Sequence, residues 1–305
     1  MSRSIVLGVL VVAGALSVAA AAYQAPQQPP AAKVVEVEKL KDNLYMLKGG
    51  GGNTAVYVAS SGVIVVDTKN PGWGQPILDK IKEITDKPVT TIVNTHTHGD
   101  HVSGNVEFPA TVDIVVHENT KANMEKMMSP PGMPTNPNVF QASNGKGMPK
   151  RTFKDRMTLG EGPDHVDLYY FGPGHTNGDT WVVFPALRVA HAGDIFSGKN
   201  LPLLDTNNGG SGLQIGDTLA KAHAGIRNVD SVITGHSTVM TWADLAEYAQ
   251  FNKDFASDVA AAVKAGKTPD EIAASWKIAD KYKGYTIAAP RLKQNVEAVA
   301  GEIKK

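Results

Sequence analysis

The stretch Asn94-Thr95-His96-Thr97-His98-Gly99-Asp100-His101 places four metal-competent side chains within six residues. Imidazole nitrogens and carboxylate oxygens are donors that zinc and iron accept. A β-branched run at 90–93 precedes them and reads as a strand. The donors therefore leave a strand end into a tight loop, where positions 96, 98 and 100 converge and His101 adds a nitrogen beside Asp100. Three further segments repeat the arrangement. Residues 166–171 lead into Gly172-Pro173-Gly174-His175, 187–192 into Gly193-Asp194, and 231–234 into Gly235-His236. In each, an apolar run ends, a glycine frees the backbone and a donor follows. Strand ends are where α/β sheets assemble sites. Together the seven donors suffice for two metal ions.

Composition narrows the chemistry further. The 305 residues include nine histidines and no cysteine, so a thiolate zinc site, an iron–sulfur cluster, a disulfide framework and a thiol nucleophile are all excluded. Thirty basic residues balance thirty acidic ones. A nucleic-acid binder would carry a basic excess, and a disordered chain a high net charge. With 42% apolar residues the chain can build a substantial core.

The elements that must position these donors alternate between strand and helix. Strand-length apolar runs fall at 55–58, 63–66, 89–93, 114–116, 166–171, 181–184, 189–192 and 232–233. Helical segments fall at 76–84 and 213–226. Leu245, Tyr248, Phe251, Phe255, Val259 and Val263 recur at spacings of three and four, one apolar face of a long helix. A capping box, Thr268-Pro269-Asp270-Glu271, opens the next helix. Two long irregular stretches stand apart, 129–150 and 197–212. The first holds five prolines, and five of the nine methionines lie between 124 and 148. Loops of this length read as substrate-side lids or as idle surface. His191 reads as a core histidine and His117 as structural, while His165 and His223 have no ligand-like context. Thr176, Asn177 and Asp179 shape the third donor loop. Gly49 to Gly52 read as a mobile hairpin tip beside the site or a plain turn.

At the N-terminus, Arg3, an apolar stretch at 5–16 and small residues at 19–22 form a secretory signal pattern. The stretch is shorter than a membrane-spanning helix requires. The expectation is a signal peptide at 1–22, a flexible Pro/Gln/Ala-rich leader at 23–33, and a periplasmic or secreted mature protein with no stable membrane insertion.

On its motifs the chain resembles the metallo-β-lactamase-fold superfamily over nearly all of the sequence after the leader. The resemblance implies an α/β fold, an αββα sandwich of two mixed sheets flanked by helices. It makes 34–305 one domain, with C-terminal helices from about residue 241. Asp67, closing 63–66, matches the family's first motif; His96, His98, Asp100 and His101 match the second. His175, Asp194 and His236 match the third, fourth and fifth. Carried over, His96, His98 and His175 would hold one metal, Asp100, His101 and His236 the other, and Asp194 would bridge. Asp67 would accept hydrogen bonds behind the 96–101 loop. The antibiotic-hydrolysing members carry Cys or Ser at the fourth motif, so Asp194 resembles the glyoxalase II-type, lactonase and phosphodiesterase branches.

The function so implied is a binuclear zinc hydrolase. Hydroxide held between two Zn²⁺ would attack a small carbonyl substrate (lactone, thioester, ester or lactam), and Asp100 would orient the water and pass its proton. The large insert of nucleic-acid-cleaving relatives is missing. Two alternatives stand beside this reading. One is a mononuclear iron enzyme resembling persulfide dioxygenases, using His96, His175 and Asp194. The other is a non-catalytic metal-binding envelope protein.

Overall fold

The computed structural model describes residues 33–135 and 137–304. The expected signal peptide, and all of the leader but Lys33, lie outside the described residues. No helix among the described residues is long and apolar enough to cross a membrane.

Seven strands form the first sheet in sequence order: β1 (Glu36–Lys41), β2 (Leu44–Lys48), β3 (Thr54–Ala59), β4 (Gly62–Val66), β5 (Val89–Val93), β6 (Asp113–His117) and β7 (Arg151–Phe153). Pairing is antiparallel from β1 to β4 and parallel from β4 to β7. The second sheet comprises β8 (Arg156–Leu159), β9 (Val166–Tyr169), β10 (Trp181–Phe184), β11 (Val189–Gly193), β12 (Ser231–Thr234) and β13 (Met240–Thr241), also laid in sequence order. Only β11 and β12 pair in parallel there.

Both faces of each sheet are covered, which is why the central strands read as unbroken apolar runs. Side chains alternate between faces along a strand. Tyr57 and Val66 of the first sheet meet Leu168, Val182, Phe184 and Ile233 of the second in the layer between the sheets. Their neighbours Val56 and Val65, with Ile92, face outward onto Ile77 and Ile81 of α1 (Gly74–Ile84). Each such side chain, fully buried, contributes roughly 1.5–3 kcal/mol. On the far side, Trp181, Val183, Ala190 and Val232 pack against a helical layer. It comprises α5 (Ile215–Gly225), α6 (Trp242–Lys264), α7 (Pro269–Ser275) and α8 (Ala289–Ile303). The order is helix, sheet, sheet, helix, the expected αββα sandwich.

Shorter helices include α2 (Gly99–Val102), α3 (Glu118–Lys126), α4 (Val139–Ala142) and one-turn segments at Asp194–Phe196 and Thr206–Asn208. The capping box at Thr268 forms as its sequence demands, with Thr268 and Glu271 bonded reciprocally. Two expectations need correction. The strand expected at 166–171 stops at Tyr169, although Tyr170 still donates its N–H to Asp155 O (2.9 Å) beyond the paired Arg156 and Tyr169. Residues 129–150 do not form one long lid. Val139, Phe140 and Met148 pack with Val102, Val116, Met124 and Met127 into a small core of their own, so only the first few residues are free to face a ligand.

Candidate metal centre

The site forms where strand C-termini gather. Val66 pairs with Val93 and Val93 with Val115 across parallel β4, β5 and β6. Asp67 and the 94–101 segment therefore emerge side by side. Ala190 pairs with Val232 and Gly193 with Thr234 across β11 and β12, which brings Asp194 beside His236. The seven expected donors converge in two groups. His96, His98, His175 and Asp194 form one, and Asp100, His101 and His236 the other, with the donor atoms of each group within 4.8 Å of one another. Asp194 reaches both. Its Oδ2 lies 3.9 Å from His96 Nε2 and 3.8 Å from His175 Nε2, and also 3.3 Å from His236 Nε2, while its Oδ1 is 3.2 Å from His101 Nε2.

The outer nitrogen of four rings is committed to a fixed partner, which decides the face that each ring turns inward. His101 Nδ1 donates to Asp67 Oδ2 (2.7 Å) and His98 Nε2 to Asp205 Oδ2 (2.7 Å). His175 Nδ1 donates to the Leu203 carbonyl (2.6 Å). Thr95 gives its hydroxyl proton to Asp67 Oδ2 (2.7 Å) and accepts from His96 Nδ1 (2.9 Å). The inward atoms are then lone pairs. His98 Nδ1 faces His175 Nε2 at 3.1 Å, and His96 Nε2 is buried without a hydrogen-bond partner. Lone pairs so placed repel each other unless a cation lies between them, so the donor set fits bound metal.

Electrostatics point the same way. Burial, then the neighbouring His101, His175 and His98, hold His96 well below its ordinary pKa; burial and His98 bring His175 down to about 4. Both rings are neutral, as ligands must be. In the second group the carboxylates prevail. Burial disfavours the His101 cation, yet Asp194, Asp100 and Asp67 together hold its pKa well above the ordinary value. His236 is likewise pushed up to about 9 against burial, by Asp100 and Asp194. The cluster is built to hold positive charge.

Close approach makes two glycines obligatory. A Cβ on Gly235 would lie 1.7 Å from Asp194 Oδ1, and one on Gly52 would lie 2.2 Å from His101 Cε1. The 49–52 segment is therefore no free tip: Gly52 N donates to Asp100 O (3.0 Å) and packs on the donor loop.

The other singled-out residues serve the frame. His191, fully buried, bonds Asn53 O (3.1 Å) and accepts from Gly193 N (3.0 Å). His117 bonds Lys154 O (2.8 Å) and stacks on Tyr170. Asp179, its pKa pushed up to about 7 by burial, accepts from Thr176 N (2.9 Å) and Thr176 Oγ1 (2.6 Å) and fixes the loop that carries His175.

Two residues escape sequence reasoning. Asp205 is fully buried and orients His98 from 107 positions away, a relation no local pattern carries. Lys69, also fully buried and in the left-handed region (φ 67°), donates to Leu47 O (2.9 Å) and Gly52 O (2.7 Å). Burial lowers its pKa to about 8 although Asp67 and Asp100 oppose this.

A cleft of about 630 Å³ opens onto Asp100, Asp194 and His236. From 129–150 it takes only Ser129, Pro130 and Met133, and from 197–212 only Ser197, Asn200, Leu201 and Leu203. Met127 and Met128 line it, whereas Met124 is buried in the small core. The far wall, residues 286–288 and Arg291, comes from the C-terminal segment.

The arrangement of sheets and donors defines a family. The profile of the metallo-beta-lactamase superfamily matches residues 47–236, and the chain belongs to that superfamily. It is similar to a metallo-beta-lactamase type 2 of Elizabethkingia meningoseptica, 29% identical over 53% of this chain and 62% of the relative. It is also similar to a hydroxyacylglutathione hydrolase of Nostoc punctiforme, 26% identical over 55% of this chain and 54% of the relative. The chain thus spans less than two thirds of the length of either. The solved inverting sec-alkylsulfatase of Pseudomonas sp. shares the fold over 88% of this chain and 50% of its own, with a TM-score of 0.68 at 16% identity.

Proposed function

We propose that the chain is an exported, metal-dependent hydrolase that holds two zinc ions and cleaves a small carbonyl compound: a lactone, thioester, ester or lactam. The observation that carries this reading is the pair of donor groups joined at Asp194, with ring lone pairs turned inward in the first and two histidines held beside Asp100 and Asp194 in the second. His96, His98 and His175 would hold one ion, Asp100, His101 and His236 the other, and Asp194 would serve both. Bound divalent cations supply Lewis-acid activation of water and of the substrate's oxygen at neutral pH.

The chain's own residues do the rest. Asp67, Thr95, Asp205 and the Leu203 carbonyl fix the ring orientations. Asp100, at 31% side-chain exposure, stands at the floor of the cleft, where its carboxylate orients a water and receives the proton it loses. Burial opposes its charge, but His101 and His236 hold its pKa down to about 2, so it stands ionised at neutral pH and accepts a hydrogen bond from water. The cleft has the volume of a small-molecule site. Asp194 at the fourth motif and the likeness to a hydroxyacylglutathione hydrolase support an acyl substrate. The signal pattern at 1–22 supports export.

The test is elemental analysis of the purified mature protein, with a hydrolysis panel of lactones, thioesters, esters and β-lactams. Two zinc ions per chain with turnover on the panel is the expected result. One iron and no zinc would replace the reading with the dioxygenase-like one. Bound metal without turnover would leave a non-catalytic envelope protein. N-terminal sequencing of the exported protein should begin near Tyr23.

A further inference from the structure

Arg291 stands in the first turn of α8 and lines the same cleft as Asp100, Asp194 and His236. Among the described residues no hydrogen bond or ion pair reaches its guanidinium, and Nη1 is buried with no partner. No other lysine or arginine among the described residues lines this cleft. A buried polar group without a partner is costly, and a guanidinium is a fork matched to the two oxygens of an acid group. The same lining carries Met127, Met128, Met133, Leu201 and Ile287 among polar residues such as Ser129, Asn200 and Thr286. Position 291 lies beyond the 47–236 stretch that matches the superfamily profile.

We propose that Arg291 is the specificity-determining residue of the cleft: it binds the acid group of an anionic, partly apolar substrate whose scissile bond lies over the metal centre. The proposal rests on the hydrolase reading above for the scissile bond, but the anion site stands on geometry alone. Methionine side chains adapt to varied apolar outlines, so the acid group is the fixed point of recognition and the apolar body the variable one. Burial lowers the Arg291 pKa while Tyr248 and Asp194 oppose this, and a guanidinium keeps its proton, so the charge is present; Asp194 is near enough to be felt but forms no ion pair with it. Carboxylate, sulfate monoester and phosphate monoester share the required oxygens.

The test is binding, independent of turnover. By calorimetry, 4-phenylbutyrate, 3-phenylpropyl sulfate and 3-phenylpropyl phosphate are titrated against the uncharged 4-phenylbutanamide, on zinc-loaded and chelator-treated protein. At least one anion should bind roughly tenfold or more tightly than the amide in both forms, the scale of one charge-assisted contact. The strongest of the three names the acid group. Arg291→Gln should erase that preference and leave amide binding unchanged, while Arg291→Lys keeps part of it. If no anion exceeds the amide, or the preference survives in Arg291→Gln, the proposal is overturned. A preference seen only with zinc loaded would assign the anion to the metal centre and overturn it as well. Anion binding that holds while the panel stays uncleaved would refute the hydrolase reading alone; the converse would refute Arg291 alone.

Discussion

Asp205→Asn is the sharpest probe of how this site is held. Asp205 is fully buried and receives four donors. His98 Nε2 (2.7 Å) and Asn208 Nδ2 (2.6 Å) reach Oδ2, and the N–H groups of Asn207 (3.1 Å) and Asn208 (3.2 Å) reach Oδ1. An asparagine has one oxygen, so its amide must face one pair of donors with a donor of its own. Each buried donor left without an acceptor costs about 1–3 kcal/mol, so the substitution should destabilise the fold by roughly 2–6 kcal/mol. It should also free His98 to rotate, and loss of such a partner typically weakens metal binding about 10–100-fold. The loss should be selective: the ion at His96, His98 and His175 weakens, while the ion at Asp100, His101 and His236 does not. Competition with a chromophoric chelator, followed by elemental analysis of the partly stripped protein, resolves the two. Equal loss of both ions, or no loss of either, would refute the claim that Asp205 acts through His98.

Four further outcomes are expected. Gly235→Ala places a Cβ against Asp194 Oδ1, so metal content should fall at both groups and any hydrolysis at least about a hundredfold, with circular dichroism unchanged. Lys69→Met tests a buried cation whose pKa falls from 10.5 to about 8 on folding. Between those pH values the unfolded chain binds a proton that the folded one lacks, so this group makes unfolding free energy rise with pH across the window. Urea denaturation at pH 7.5 and 10 should show wild type gaining stability relative to Lys69→Met at the higher pH. Met128→Ser and Met133→Ser should raise KM for apolar acyl substrates about two- to tenfold per side chain and leave metal content intact, because both line the cleft and neither touches a donor. Deletion of 139–148, in contrast, should unfold the protein, since Phe140 and Met148 belong to a packed core.

The sequence by itself determined the donors and most of the strands that carry them. His96, His98, Asp100 and His101 were legible because they are adjacent in the chain. His175, Asp194 and His236 were legible because each follows an apolar run and a glycine. Local pattern suffices there, since a strand fixes where its own end points. It did not suffice for β1, whose EVEKLK is exposed almost throughout, nor for α8, whose N-cap Ala288 offers no side-chain cap and whose start is marked only by a first-turn proline. Tertiary structure alone decided which ring nitrogen faces inward. That choice belongs to partners such as Asp205 and the Leu203 carbonyl, brought close by packing of distant segments. It also decided that the methionine-rich stretch is divided between cleft and core, and that the far wall is built by the C-terminal segment. Side-chain burial depends on what packs from outside a segment, and no periodicity within 124–148 records where α8 begins.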